Sequence, residues 1–566
     1  PFSNKVPTKF TANVNLENNQ VKYSDMPPAT VKSGSLIITE MGIEQANITG
    51  EWLGGPASIK SDPTIKRALT FNGKADFGKF GQLALTKNDP TSLEIKKKLS
   101  GLMTYQGKLF KQEQKSTVEI EFDLKNASID LPRPLNKPLG IPMPGKATIT
   151  SNSANKSEFG FDRFQSKGIS KNGKIEKHGV SLGNLTASLP TSGTGIVFDV
   201  DTLQGDEWAK ILGADSNKPN SNKSAKTAEG PIQMTGISTI KGKAKHLIIA
   251  DRDISDFSVV ATHEGDFWVA KVDSPFVAGQ FKWQSANLSL PSGELTAKLS
   301  KLIIPDEETN DALTKGLQST STRIPKLDIS SDQFVIGKRN FGSLSIQATG
   351  EIDTWHLDSL KIKNPNGDLS AIGIWKMPKA GDPGHTDLKV DINATHLGQL
   401  MDSLGNAKAI DDGQGKLEGN ISWQGAPYAF DKKTLSGDIS FVATKGKLLK
   451  VDPGAAKLLG LLSFQSLFRL ATFNVEGGIG DAVTEGTYFD KISATANLRR
   501  GVARTEDFEL ISSLAKINMR GRANLNNETQ DLRVTIYPKI SLASTSLAAF
   551  YFVNPIVGLS TLVGQF

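Results

Sequence analysis

Gly179-Val180-Ser181-Leu182-Gly183 has the spacing of a nucleophile elbow, in which a strained turn between a strand and a helix lifts a serine hydroxyl towards a substrate. The residues after it, Asn184 to Pro190, read as more strand and then a turn. No helix completes the elbow, so Ser181 is not expected to act as a nucleophile. Gly168 to Lys174 spells Gly-x4-Gly-Lys, the frame of a phosphate loop, but Ile175 stands where the Mg²⁺-binding hydroxyl belongs, and a polar hairpin accounts for it better. Asp411-Asp412-Gly413-Gln414-Gly415 is too short and too poor in alternating oxygen ligands for a calcium loop and reads as a glycine-rich turn. The six histidines, His178, His246, His263, His356, His385 and His396, form no i, i+4 pair. With no cysteine there is no disulfide, thiolate ligand or cysteine nucleophile. These residues support neither an enzyme nor a metal or organic cofactor.

The strongest pattern is instead an alternation. Between Tyr488 and Tyr537, Ile492, Ala494, Ala496 and Leu498 interleave with Lys491, Ser493, Thr495, Asn497 and Arg499, and Gly501 breaks the run. Phe508 and Leu510 follow, then Ala515, Ile517, Met519, Ala523 and Leu525, and after the Asn526-Asn527 turn Leu532, Val534 and Ile536 keep the same beat. A period of two marks strands with one face in an apolar environment and the other in water. This tail predicts an antiparallel meander that is oily on one side. What covers the oily side is the functional question for the whole chain.

The same texture runs through the rest of the 566 residues. Residues 1–145 carry short runs at Leu36 to Thr39, Ala46 to Trp52, Leu69 to Phe71, Leu83 to Leu85, Leu102 to Leu109 and Val118 to Leu124, each bounded by Gly, Asn or Pro. They end in the proline-dense Leu131 to Pro138, with Pro142 and Pro144 beyond, which predicts an extended edge or crossover. Residues 146–213 resume the strands and close on a short helix, Gly205 to Gly213, with an acidic start and a glycine stop. The Ser, Asn, Lys and Ala of 214–231 predict a disordered loop or linker. Residues 232–440 form a further β segment, with single helices at Thr309 to Leu317 and His396 to Leu404. Gly50 and Trp52, Gly279 and Trp283, Gly373 and Trp375, and Gly419 and Trp423 share an even spacing that would let each ring pack on its own strand's glycine; coincidence is the competing account. Residues 441–540 combine the meander with an apolar helix, capped by Asp452 and Pro453, that carries Leu458, Leu461, Leu462, Phe464, Leu467 and Phe468. The uncharged 541–566 predicts a helical or re-entrant apolar cap, with a membrane span as the alternative.

The net charge of +7 is scattered and meets no aromatic-lined basic stripe, so nucleic acid is not an expected partner. If the strands made ordinary sandwiches, apolar faces would cover one another in pairs and the chain would be a string of domains. A long sheet that curls on itself would leave an apolar trough, which must hold something oily. The expected fold is mainly β: a long twisted, curled antiparallel β-sheet forming an elongated apolar groove, with a few short helices and an apolar helical C-terminal region. The in-phase residues that would line it are Phe257, Val259 and Ala261; Trp268, Ala270 and Val272; Leu344, Ile346 and Ala348; and, in the tail, Ile492, Ala494, Ala496, Leu498, Phe508, Leu510, Ile517, Met519, Leu525, Leu532, Val534 and Ile536. For each of these, packing between sheets is the competing account. The apolar helix from Leu458 to Phe468 would plug the groove end or touch a membrane.

Four phrases carry a resemblance. Leu458-Leu459-Gly460-Leu461-Leu462-Ser463-Phe464-Gln465-Ser466-Leu467, Phe489 to Ala494, Ala523 to Leu532 and Asn554-Pro555-Ile556-Val557-Gly558 together resemble the C-terminal region of the YhdP branch of the AsmA-like proteins, and Leu131 to Pro138 is similar to an earlier phrase of that branch. The resemblance implies a bridge-like carrier of phospholipids in the periplasm of a Gram-negative bacterium, with acyl chains sliding along an apolar β-groove. It also implies contact with inner and outer membrane surfaces and with envelope proteins, and anchoring to the inner membrane by an N-terminal helix that this chain, read as a fragment, lacks. A non-transporting envelope scaffold and an extended β-sandwich adhesion protein are the alternatives.

Overall fold

Strands form here because apolar and polar residues alternate over ten or so positions at a time, and they turn where the chain supplies residues that tolerate positive φ. Leu53-Gly54 (φ 52° and 79°) and Arg500-Gly501 (48° and 74°) each join two strands with both turn residues left-handed, the geometry that matches strand twist. The computed structural model describes residues 9–22, 27–84, 90–171, 174–211, 236–249, 252–285, 290, 292–305, 325–351, 353–379, 382–403, 410–427, 429–449, 487–513, 515–527 and 529–539. The linker at 214–231, the helix expected at Thr309 to Leu317, the apolar helix bearing Leu458 to Phe468 and the tail from 541 lie outside the described residues.

The chain forms two units, Pro1–Pro275 and Phe276–Phe566. The first holds β1 (Thr11–Val21), β2 (Ala29–Thr39), β3 (Gly42–Trp52), β4 (Gly55–Ser61), β5 (Leu69–Asp76), β6 (Leu99–Gln112), β7 (Lys115–Ile129), β8 (Pro144–Ser151), β9 (Asn155–Phe161), β10 (Phe164–Lys171), β11 (Lys174–Gly183), β12 (Gly193–Gln204), β13 (Ile237–Ile249), β14 (Arg252–Glu264) and β15 (Phe267–Asp273). Each strand pairs with the next in sequence. All these pairs are antiparallel except β11 with β12 and β12 with β13. The second unit repeats the plan with β16 (Val277–Gln284), β17 (Glu294–Ile304), β18 (Lys326–Ile336), β19 (Arg339–Gly350), β20 (Thr354–Asn364), β21 (Gly367–Lys376), β22 (His385–Ala394), β23 (Ile410–Gln424), β24 (Ser436–Leu448), β25 (Thr487–Arg499), β26 (Val502–Ile511), β27 (Ala515–Asn524) and β28 (Thr529–Pro538). Among the described residues there, only β17 and β18 pair in parallel. Sequential pairing of this kind makes one open sheet per unit and not a string of sandwiches, whose strands return to earlier partners. The mainly β, curled-sheet fold expected from the alternation is the fold observed.

Among the described residues four short helices accompany the sheets: α1 (Phe77–Ala84), α2 (Pro90–Lys97), α3 (Gly205–Ile211) and α4 (Leu397–Ser403). The last two were legible in the sequence. Leu83 and Ala84, read as part of a strand, instead end α1, which starts because Asp76 accepts the Lys79 N–H at 3.0 Å as an N-cap. The proline-dense passage folds back on the end of β7, where Ile129 and Lys137 exchange backbone hydrogen bonds. Lys137 is buried there with Nζ donating to the Ala127 and Pro138 carbonyls, and burial pulls its pKa below the ordinary lysine value.

Candidate functional site

Residues directly opposite one another in neighbouring strands share a face, so the register traces rows across a sheet. One row in the first unit runs through Leu16, Gly34, Ile48, Ile59, Phe71, Gly107, Ile120, Ala147, Phe159, Ser166, Val180, Ile196, Ile240, Ala261 and Ala270, from β1 to β15. Ser166 is its one polar member, and its hydroxyl lies 2.8 Å from Nε2 of His178 on the same face. Burial holds the His178 pKa below the ordinary value, so the ring is neutral against this apolar surface. A second row, two residues along each strand, runs through Gly50, Ala57, Gly73, Tyr105, Phe122, Gly145, Phe161, Phe164, Leu182, Phe198, Gly242, Val259 and Val272. Between them, on the other face, lies a polar row that includes Thr49, Ser58, Asn72, Gln106, Glu121 and Lys146.

The second unit is built alike. Phe281, Ala297, Ile329, Ile346, Leu360, Ala371, Val390, Gly419, Ile439 and Ala496 make one row from β16 to β25. Gly367, Ala394, Gly415, Ala443, Ile492, Leu510, Ile517 and Ile536 make another from β21 to β28. Every candidate groove residue named from the sequence falls on the apolar face of its unit except Leu525, which sits in the turn after β27 with its N–H donating to the Gly501 carbonyl.

The apolar faces are roofed in places and open in others. In the first unit α1, α2 and α3 set Phe77, Phe80, Ile95, Trp208 and Ile211 on the strand ends that carry Ala75, Met103, Leu124 and Ala127, and Leu131 and Leu135 of the proline passage join them. Trp208 is oriented by an Nε1–H donated to the Arg133 carbonyl at 2.9 Å. At the other strand ends the face is open: Ile59 and Leu109 are each 37% exposed and Ile149 is 43% exposed. In the second unit Leu397 and Leu400 of α4 pack with Ile492, Leu510, Ile517 and Met519. Leu510 and Ile517 are fully buried there, so these two serve as core while their strand neighbours Phe508, Val534 and Ile536 are only partly buried.

Aromatic rings and glycines meet across strands. Gly107 lies opposite Phe71, Gly145 opposite Phe122, Gly242 opposite Phe198 and Gly446 opposite Phe489, and in each pair the ring occupies the space a glycine Cβ would need. Phe122 stacks further on Phe159, with centroids 5.3 Å apart, and Phe159, Phe161 and Phe164 continue as a pavement over β9 and β10. The pairing expected within single strands is not what the glycines do. Gly50, Gly279, Gly373 and Gly419 are hemmed by the backbone and side chains of adjacent strands and not by the tryptophan that follows each. The sequence shows which residues alternate but not which strand lies alongside, and that hid these pairs.

The polar face carries the charge. Lys146 and Gln106 both hydrogen-bond Glu121, which holds that carboxyl below its ordinary pKa, and Lys32 does the same for Glu51. A concavity of about 1360 Å³ follows the row from Thr49 to Lys146 and on to Gln165 and Lys167. Asp62, in the turn after β4, accepts from the Thr64 hydroxyl (2.6 Å), the Thr64 N–H (2.8 Å) and the Ile65 N–H (3.1 Å), with Lys108 at 3.2 Å, and its pKa lies far below the carboxylate range. Ser181 is fully buried in β11, where 184–190 crosses back over the sheet and Ala187 donates to Gln165 at 3.4 Å; no helix follows it. Gly168 and Lys174 fall on the β10–β11 hairpin and Asp411 to Gly415 lies within β23. Among the described residues no three His, Asp or Glu side chains converge as metal ligands, and no helix is long and apolar enough to cross a membrane.

Comparison with known proteins adds the relatives. The family model described as "YhdP protein" matches residues 1–565. A curated protein of Escherichia coli (strain K12), the "Intermembrane phospholipid transporter YhdP", is 23% identical over 576 aligned positions that cover 96% of this chain. The chain spans 43% of that relative's length. No solved structure matches.

Proposed function

Because the chain belongs to the YhdP protein family, we propose that its apolar sheet faces carry phospholipid, with acyl chains against the rows of Ile, Val, Phe and Gly and headgroups at the wet margin. The relative's printed name supplies the ligand class, and the register supplies the physical means. The observation that carries the reading is the first-unit row, apolar or glycine at every strand from β1 to β15 but for Ser166. Each buried methylene contributes about 0.8 kcal/mol, and neighbouring strands stand about 4.8 Å apart, so a chain lying across the strands meets near-equivalent stations. Such a surface holds lipid firmly yet lets it step along. It needs no nucleophile and no metal.

In this reading the residues that touch lipid are open residues of the apolar face: Ile59, Leu109 and Ile149, with Phe257, Val259, Trp268 and Val272 towards β15. Leu510 and Ile517, fully buried, support the face as core. The protein works between the inner and outer membranes of a Gram-negative envelope, held at the inner membrane by a helix outside this chain, with envelope proteins at its ends.

The test is native mass spectrometry with lipid extraction on the chain expressed in a bacterial periplasm, beside an Ile59→Asp/Ile149→Asp variant. Several phospholipids per chain, lost in a variant that keeps its circular dichroism, support the carrier. A lipid-free, monomeric wild type refutes it and favours a scaffold that works without lipid cargo.

A further inference from the structure

Phe198 and Gly242 face each other across the parallel β12–β13 pair, on the apolar face and between Leu182 and Val259 in the same row. Phe198 is 6% exposed, packed among its neighbours with its ring against Gly242. The ring atoms Cγ, Cδ1 and Cε1 are the nearest neighbours of the site where a Gly242 Cβ would be, all within 3.0 Å, a separation real Cβ atoms do not show. Cγ is among them, and that fixes the consequence. Rotation about χ2 turns the ring but leaves Cγ in place, so relief from a Cβ requires a change of χ1 that swings the whole ring off the glycine. In a well-packed row with Leu182, Val259, Phe257 and Ile240 beside it, the free direction is outward from the sheet.

We propose that Gly242 is a passage-determining residue: by letting the Phe198 ring pack against it, it keeps the apolar surface level where the sheet changes to parallel pairing, so lipid steps across β12 and β13 unobstructed. Phe489 over Gly446 repeats the device in the second unit, where the nearest atoms are again all from the ring. The inference rests on the lipid-carrier reading and deepens it. It separates passage from holding, because a ring raised at one strand pair obstructs movement past it while the stations on either side keep their apolar area.

The experiment loads the chain with fluorescent nitrobenzoxadiazole-labelled phosphatidylethanolamine and measures two quantities: label per chain, and the rate at which label exchanges into excess unlabelled phosphatidylethanolamine/phosphatidylglycerol vesicles. Gly242→Ala is expected to slow exchange at least tenfold, a larger change than any it makes in label per chain. Gly242→Ala/Phe198→Leu, which removes the ring, is expected to restore the rate. Gly446→Ala with and without Phe489→Leu is read in the same way and serves if Gly242→Ala does not fold. Wild-type exchange in a folded, loaded Gly242→Ala protein, or in Gly446→Ala where only that variant folds, overturns this inference alone. Slow exchange that the second substitution fails to relieve also overturns it. A wild type that takes up no labelled lipid overturns the carrier reading and this inference together.

Discussion

Ile59→Asp places a carboxylate in the middle of the first-unit row while leaving most of the fold's burial untouched. Ile59 is 37% exposed, so its loss forfeits only part of the roughly 1.5–3 kcal/mol that a fully buried aliphatic side chain contributes, about 1–2 kcal/mol. The carboxylate itself stays hydrated at this open position and adds little further cost. Its effect on an acyl chain is larger. One strand spacing of about 4.8 Å corresponds to roughly four methylenes of an extended chain, and moving them off the surface at about 0.8 kcal/mol each weakens holding at that station by roughly 3 kcal/mol, on the order of a hundredfold. Lys60→Asp is the matched control: the same new carboxylate, one residue on, on the polar face opposite Asn47 and Thr70. The assay is phospholipid per chain by native mass spectrometry, with thermal melting to show that both variants fold. The reasoning predicts a lipid count reduced in Ile59→Asp and unchanged in Lys60→Asp. Equal loss from both, or from neither, refutes it.

Other expectations follow from the same geometry. Leu510→Ala, at a fully buried position in the second-unit core, should destabilise that unit by about 2–5 kcal/mol in denaturant unfolding, while Tyr488→Ala, exposed on β25, should change stability by less than about 1 kcal/mol. His178 is half-buried and desolvation lowers its pKa, so the unfolded chain binds its proton first. Stability from this group is present above about pH 6.5 and is lost as pH falls below that towards the folded value, and His178→Gln should flatten the melting temperature between pH 7.5 and 5.5. Asp62→Ala should lower the melting temperature at pH 7, since Thr64, Ile65 and Lys108 lose their shared acceptor. Because the Asp62 pKa is depressed on folding, the gap between the two proteins should close as the pH is taken below about 4.

The fold was legible where one residue suffices to reveal its environment. Alternation at Ile492 to Leu498 and at Ala515 to Ala523 marks the faces of β25 and β27, and the acidic start marks α3. Features that depend on the neighbouring strand were not legible. Phe198 over Gly242 and Phe122 over Gly145 are cross-strand pairs between segments 44 and 23 residues apart, and no local pattern names the partner. The parallel pairings of β11, β12 and β13 escape for the same reason, because a strand's own alternation is the same in either orientation. Of the roof, α3 was legible, but Phe77, Phe80 and Ile95 were not read as helix, and the Asp76 cap shows that the segment leaves the sheet and becomes α1. Burial divides the candidate groove residues further. Ile517 and Val534 read alike in the sequence, yet the first is fully buried and the second only partly, so Ile517→Asp would test folding and not lipid contact.

The account's central claim is that acyl chains lie on one face of the sheet, and site-specific photo-crosslinking asks this most directly. A benzophenone amino acid placed in turn at Ile59, Ile149 and Val259 on the apolar face, and at Ser58, Lys60 and Lys146 on the polar face, is irradiated in cells and the adducts are identified by mass spectrometry. The account predicts phospholipid adducts at the first three positions and none at the others. Adducts spread equally over both faces, or absent from the apolar face in a folded protein, would contradict it.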